Sequence, residues 1–331
     1  MLSLTLIIPI IVSLFFSLIA TNIQIEKFKE KNITATDYYK RDLRKIPTGG
    51  GIAVLFAIFL AYILIYDLGS LLKGYDMPRI TSMDWKALIV IGLYGFIGAL
   101  DDYVDVGRTA KILLPYTFSF PLITAIGTGI IFLPLIGTIN LGLFHLLVVV
   151  PLYVLVVSNL MNMHSGFNGM ASGLSAILLG VLLVKSAMQG NDNVFVLGVM
   201  LGAVIGLWWF NKYPSKIFDG NVGALAIGSA IGVGIVSGGF LVSGFIMLIP
   251  HTVNFLMYVF WRFMHKLHPE DERWEKVKFG KVREDGKLEV PNNLTLKWVL
   301  PYYFGVTEKQ TVLAMYGLTV AFCIPALFIP Y

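Results

Sequence analysis

Long apolar runs alternate with short polar segments along almost the whole chain. Roughly 20 mostly apolar residues are what an α-helix needs to cross a bilayer. Ten such runs are read, at 2–20, 50–72, 86–101, 111–136, 142–160, 170–188, 193–211, 221–237, 239–262 and 311–330. The expected fold is an all-α polytopic membrane protein, because helices and closed barrels alone satisfy their own backbone N–H and C=O groups inside lipid. The fourth run is the irregular one. It is long, and Pro115, Pro121 and Pro134 are expected to kink it. The first run has neither the basic flank nor the small-residue cleavage site of a signal peptide, so it is expected to remain as a helix.

Ten spans put the segments 21–49, 102–111, 161–169, 212–220 and 263–310 on one side of the membrane. With Arg262 at a helix end, that side holds 21 of the 25 Lys and Arg; only Lys73, Arg79, Lys86 and Lys185 fall elsewhere. Cytoplasmic loops carry such an excess of Lys and Arg. The polar side is therefore expected to face the cytoplasm, with both termini outside.

Composition agrees with this. The chain is 56% hydrophobic and 14% charged, where a soluble domain carries about 25% charge. The net charge of +5 fits membrane orientation and anionic phosphates; no nucleic-acid-reading motif is present. The single cysteine, Cys323, allows no internal disulfide and argues against a cysteine metal site. With no repeat and no second soluble unit visible, residues 1–331 read as one domain. Its 263–310 segment is a cytoplasmic loop long enough to carry structure of its own and to cover a substrate.

Candidate chemistry gathers in those loops. Asp101-Asp102-x-x-Asp105 stands at the end of an apolar run, where charge is costly unless used, and such carboxylates suit Mg²⁺ with substrate phosphates. On a helix, Asp101, Asp105 and Arg108 share one face; a helix end with satisfied ion pairs reads the same way. Arg44-Lys45 ahead of Gly49-Gly50-Gly51 offers cations and open backbone to an anion, or a turn anchored on lipid headgroups. Asn159, Asn162 and Asn168 with Gly166 and Gly169 supply amide oxygens for a metal or a base edge, or simply a helix C-cap and turn. His164 among them reads as a hydrogen-bonded structural residue. Asp219 or Asn221 caps the following helix, whose N-terminus also suits phosphate. Together these groups form the donor set of a metal–diphosphate site.

In chain order the motifs are Ile46-Pro47; Asp101-Asp102 with Lys111-Ile112-Leu113-Leu114-Pro115; Asn162-x-x-x-Gly166-x-Asn168-Gly169; Tyr213-Pro214-Ser215-Lys216-x-Phe218; and Gly286-Lys287-Leu288-Glu289 followed by Asn292-Asn293-x-Thr295-Leu296. Over essentially the whole chain this resembles the polyprenyl-phosphate N-acetylhexosamine-1-phosphate transferases, most closely the UDP-GlcNAc:dolichyl-phosphate GlcNAc-1-phosphate transferase branch of archaea and eukaryotes. The resemblance implies Mg²⁺-dependent transfer (with Mn²⁺ as a substitute) of GlcNAc-1-phosphate from UDP-GlcNAc to a polyprenyl (dolichyl) phosphate. UMP is released, and the lipid product opens N-glycan assembly. It also implies a homodimer, located in the cell membrane of an archaeon or the ER membrane of a eukaryote.

On that resemblance Asn162 and Asn221 hold the metal, with Asp219 in reserve. Asp101 or Asp102 holds the lipid phosphate's proton or supports the metal. Lys111 and Lys45 meet phosphate, with Asp105 beside them. Asn168 and the Gly166–Gly169 backbone receive the uridine, and Lys278, Lys281 and Arg283 are candidates for the sugar. One departure stands out. Where the family pattern after Phe is x-Gly-Asp, this chain reads Phe218-Asp219-Gly220-Asn221, so position 221 keeps an oxygen and loses a charge. A catalytically silent, nucleotide-sugar-binding homologue and a secondary transporter are the other readings. The gathering of acids at one face, rather than at the bilayer midplane, speaks against the transporter.

Overall fold

A computed structural model describes residues 4–330 except 73, 74, 76, 105 and 108. Helix α1 (Leu4–Glu30) leads into a hairpin of β1 (Thr34–Thr36) and β2 (Lys45–Pro47), then α2 (Gly51–Leu71) and α3 (Ser82–Tyr103). The irregular fourth run forms α4 (Ala110–Phe118), a 3₁₀ turn and α5 (Ile123–Ile126), followed by a hairpin of β3 (Ile130–Leu133) and β4 (Gly137–Asn140). Next come a π-turn over His145–Val149, α6 (Val150–Met163), α7 (Met170–Gln189), α8 (Val194–Asn211) and α9 (Gly220–Ser237). The last part comprises α10 (Leu241–Met247), α11 (Ile249–Leu267), the hairpin of β5 (Lys281–Val282) and β6 (Leu288–Glu289), α12 (Leu296–Phe304) and α13 (Glu308–Phe328).

Eight of these helices are long and apolar enough to cross a membrane, and α10 with α11, bent by 63° at Leu248, counts as a ninth. The expected tenth, 111–136, is shorter than the pattern suggests. Helical structure stops at Ile126, Gly127 turns the chain at φ 67°, and the remainder pairs as a hairpin. Direction is nevertheless kept. Asp101 at the end of α3 touches Lys111 near the start of α4, and α6 ends again at the same cavity. The 17-residue segment 110–126 therefore runs away from that face. The hairpin it reaches lies against the α7–α8 turn on the far face.

The interior is built around α9, whose span is 83% buried, against 22% for α1 at the periphery. Close helix approach rests on small residues, as membrane interiors require. A Cβ on Gly202 would stand 2.1 Å from Ile10 O, and one on Gly228 2.7 Å from Ser158 Cα. Large apolar side chains such as Phe15, Phe56, Phe96, Leu313 and Ile324 point outward, as suits helices long and apolar enough to lie in lipid. Buried polar groups are tied down. Asp84 completes the capping box with Thr81 at the start of α3 and accepts from Val196 N at 3.3 Å. Lys185 donates to Ala326 O, Leu327 O and Ile329 O, closing the C-terminal end of α13.

Candidate active site

The ends of α3, α6 and α8 and the starts of α2, α4, α7, α9 and α13 meet on one face. Between them lies a cavity of about 290 Å³ lined by Asp102, Asn162, Gly166, Asp219, Asn221 and the loop after β1. Local sequence explains the tight assembly. Gly50 N donates to Phe218 O at 2.8 Å, Gly51 N to Asp219 O at 2.9 Å, and Phe218 N to Pro47 O at 2.9 Å. A Cβ on Gly51 would meet Gly223 N at 2.1 Å. The glycines after Lys45 thus let two helix N-termini touch backbone to backbone. Two of the N–H groups expected to receive an anion are already used. Lys45 itself is exposed on β2, away from the cavity.

The paired aspartates divide their tasks. Asp101 Oδ1 pairs with Lys111 Nζ at 2.6 Å, and its Oδ2 accepts from Asn221 Nδ2 at 3.0 Å. Asp102 accepts from Asn221 N at 2.9 Å and Val222 N at 3.2 Å. The N-terminus of α9, expected to be capped by Asp219 or Asn221 or left open to phosphate, is therefore capped from another helix by Asp102. Asp219 makes no side-chain cap bond. Its Oδ1 is shut from solvent without a hydrogen-bond partner. Burial pushes its carboxyl up to about 7, with the Ser172 backbone N–H as a smaller opposing influence. Gly220 between Asp219 and Asn221 is left-handed at φ 71°, and a Cβ there would meet Asp102 Oδ2 at 2.8 Å.

Asn162 lines the cavity, and its side chain hydrogen-bonds to no described residue. Gly166 is beside it at φ 108°. Asn168, expected to receive uridine, has its N, Nδ2 and Oδ1 each bonded within the protein. Its N donates to Glu308 Oε1 at 2.7 Å, its Nδ2 to Asp37 Oδ2 at 3.1 Å, and its Oδ1 accepts from Ser215 N at 2.8 Å. Gly169 is occupied too, its carbonyl accepting from the Tyr316 hydroxyl. His164 differs from expectation: its ring packs edge-on against His251 at 4.6 Å, and neither ring nitrogen has a partner. Burial, then His251 and Lys297, hold that imidazole well below its ordinary value. Asp105, and Arg108 with it, lie outside the described residues.

In the 263–310 segment, Lys278 lines a neighbouring cavity of about 580 Å³ with Arg262, Lys276 and Lys297, over Tyr258, Trp261 and Trp298. Lys281 and Arg283 do not join either cavity. Lys281 is exposed on β5, and Arg283 pairs with Asp285 at 3.6 Å.

Residues that the motifs left out stand beside the site. Asp37, Lys40 and Glu308 form a buried network, with Lys40 Nζ 3.2 Å from Asp37 Oδ2 and 2.5 Å from Glu308 Oε2. Tyr38 stacks on Phe279 at the cavity wall, ring centroids 4.0 Å apart. The available signal was an Asp and a Lys in a short loop, and a Glu opening the last apolar run, each ordinary until the fold brings them together.

Oxygen donors and a lysine gather at helix ends on one face of a polytopic helical bundle, the arrangement of a candidate active site in a membrane protein. Residues 85–239 match the model of glycosyl transferase family 4. A Saccharolobus solfataricus protein, provisionally named UDP-N-acetylglucosamine–dolichyl-phosphate N-acetylglucosaminephosphotransferase, is 31% identical over 98% of this chain and 97% of its own length. A Sulfolobus acidocaldarius protein of the same provisional name is 29% identical over 97% and 95%. A phospho-N-acetylmuramoyl-pentapeptide-transferase of Borreliella burgdorferi is 26% identical over 64% of this chain and 67% of its own. The chain belongs to this family of membrane glycosyl-1-phosphate transferases.

Proposed function

We propose that this enzyme transfers GlcNAc-1-phosphate from UDP-GlcNAc to a polyprenyl (dolichyl) phosphate, forming GlcNAc-diphosphate-polyprenol and UMP, with Mg²⁺ as cofactor. The observation that carries the reading is the cavity lined by Asp102, Asn162, Asp219 and Asn221 at helix ends, with the Asp101–Lys111 pair joined to it through Asn221. Full-length similarity to archaeal proteins provisionally named for this donor and acceptor supports it.

The donor set fits a hard cation. It is built from carboxylate and amide oxygens, and one buried carboxylate oxygen lacks a partner. Asn162 and the 219–221 turn are the residues that would hold it. When bound, Mg²⁺ supplies charge neutralisation to the diphosphate and the leaving UMP.

The reaction is a phosphoryl-type displacement. A lipid phosphate oxygen bonds to the β-phosphorus while the bond from that phosphorus to the α–β bridging oxygen breaks, and UMP leaves with that electron pair. The acceptor phosphate has its second pKa near 6, so its dianion attacks with no proton to remove. This matches a site in which both Asp102 oxygens are held by backbone N–H groups and Asp101 is paired with Lys111. Positioning and charge neutralisation are the main requirements for such a displacement. Lys111 stands at the site edge as the cation to meet phosphate. Asp102 and Asn221 lock α9 to α3 and fix the cavity's width. Lys278 and the cations near it would meet the donor's sugar-phosphate end from the neighbouring cavity. The excess of Lys and Arg on this face supports a cytoplasmic site in the cell membrane.

The test is direct. Purified protein with radiolabelled UDP-GlcNAc, polyprenyl phosphate and Mg²⁺ is expected to yield lipid-soluble label and equimolar UMP, both abolished by EDTA. UDP-GlcNAc binding without lipid-linked product would sink the reading.

A further inference from the structure

The metal-dependent reading above leaves open which residue supplies negative charge to the cation, and the hydrogen bonds around the cavity decide between the candidates. Three carboxylates stand close together. Asp101 is compensated twice, by Lys111 at 2.6 Å and by the Asn221 side-chain amide at 3.0 Å. Asp102 is compensated by the two backbone N–H groups that open α9, at 2.9 and 3.2 Å. Asp219 is the least compensated of the three, with only the weaker influence of the Ser172 backbone N–H. Its Oδ1 is closed to solvent and accepts no hydrogen bond, and no lysine or arginine among the described residues forms an ion pair with it. A buried carboxylate oxygen without a donor costs free energy that a bound cation would remove.

The turn geometry separates Asp219 from its neighbour at 221. Left-handed Gly220 reverses the backbone between them. Asn221 donates its amide to Asp101, so its nitrogen is committed to bridging α3 and α9. Asn162 lines the same cavity as Asp219, and its side-chain amide hydrogen-bonds to no described residue. Asp219, with one carboxylate oxygen unengaged, and Asn162 thus line one space together with Asp102 and Asn221.

We propose that Asp219, not Asn221, is the anionic ligand of the divalent cation in this chain, with the Asn162 side-chain oxygen beside it. Asn221 serves instead as a neutral hydrogen-bond bridge that holds Asp101 in place for Lys111. The charge missing from position 221 is thereby supplied two residues earlier, and the site keeps its count of acids. An aspartate at 221 would set a third charge against Asp101 and Asp102 and lose the donor that Asp101 now accepts from.

Mn²⁺ binding to the detergent-purified full chain, followed by the electron paramagnetic resonance signal of free Mn²⁺, reads this without turnover. Asp219→Asn is expected to weaken Mn²⁺ binding roughly tenfold or more and to abolish the rise in Tm that Mn²⁺ gives the wild type. Asp219→Ser should do the same, and an unchanged metal-free Tm in either variant separates ligand loss from misfolding. Asn221→Ala should retain Mn²⁺ binding within about threefold, a change of less than 1 kcal/mol. Binding lost in Asn221→Ala and kept in Asp219→Asn would overturn the assignment while leaving a metal-dependent transferase intact. A wild type that binds no Mn²⁺, with or without UMP, would overturn both the assignment and the metal-dependent reading.

Discussion

Lys297 carries its ammonium where the surroundings disfavour charge. Its Nζ donates to Ser165 O at 2.7 Å beside the Phe167 ring, and burial brings its pKa down to about 8. The unfolded chain keeps that proton to about pH 10.4. The cost of burying the charge is therefore fully present below pH 8 and fades as pH rises toward 10, because between those values the unfolded state binds more protons than the folded one. The Tm of Lys297→Met relative to wild type is expected to be most favourable near pH 7 and to fall steadily by pH 9.5. A difference that stays flat across that range would mean the ammonium is solvated. By contrast, the Lys111–Asp101 pair is part-exposed, the Lys111 side chain at 40%, so it contributes little to stability and matters for charge at the cavity edge.

At the scale of elements, the site is set by how close α2 and α9 begin. Gly51 and Gly223 are in backbone contact there. Gly51→Ala must push the two N-termini apart, at a cost of about 1–3 kcal/mol or more, and displaces Asp219 through its bond to Gly51 N. A lowered Tm together with loss of transfer is expected. Gly180, in the middle of α7 with nothing within 4 Å of an added Cβ, is the control. Gly180→Ala is expected to leave activity intact and to stabilise by up to about 1 kcal/mol. If both variants melted alike, close helix approach would not be what holds the site. The buried Asp37–Lys40–Glu308 network works at the same scale. Through Asn168 it fastens the loop after β1, the α6–α7 loop and the start of α13 to one another, so the last helix is anchored to the cavity although it brings no residue into it.

Across the whole molecule, the prediction concerns orientation. Leu135 at the tip of the far hairpin and Glu284 beyond β5 are both fully exposed, on opposite faces. The native Cys323 is buried and gives little background. In intact cells a membrane-impermeant maleimide is expected to label Leu135→Cys, and to label Glu284→Cys only after permeabilisation. The reverse pattern would place the site outside.

Most of the architecture was legible in the chain, because eight of the runs read from hydropathy appear as long helices. The bend at Leu248 and the early end of the fourth helix were not. Both depend on where a short apolar stretch finds packing partners. The motifs also marked the right neighbourhood: Asp102, Asn162, Gly166, Asp219 and Asn221 share one cavity. The structure withdraws Asn168, Gly169, Lys45, Lys281 and Arg283 from direct contact with it, since their groups are engaged or face elsewhere.

By itself, then, the sequence determined that the chain crosses a membrane many times, which face gathers the acids, and which family it joins. Transfer into lipid is summed residue by residue along the chain, so composition and spacing suffice. Only the tertiary structure decided which carboxylates are already satisfied and which is left open. Hydrogen bonds are pairwise and short-ranged, and the one that commits Asn221 to Asp101 joins residues 120 positions apart.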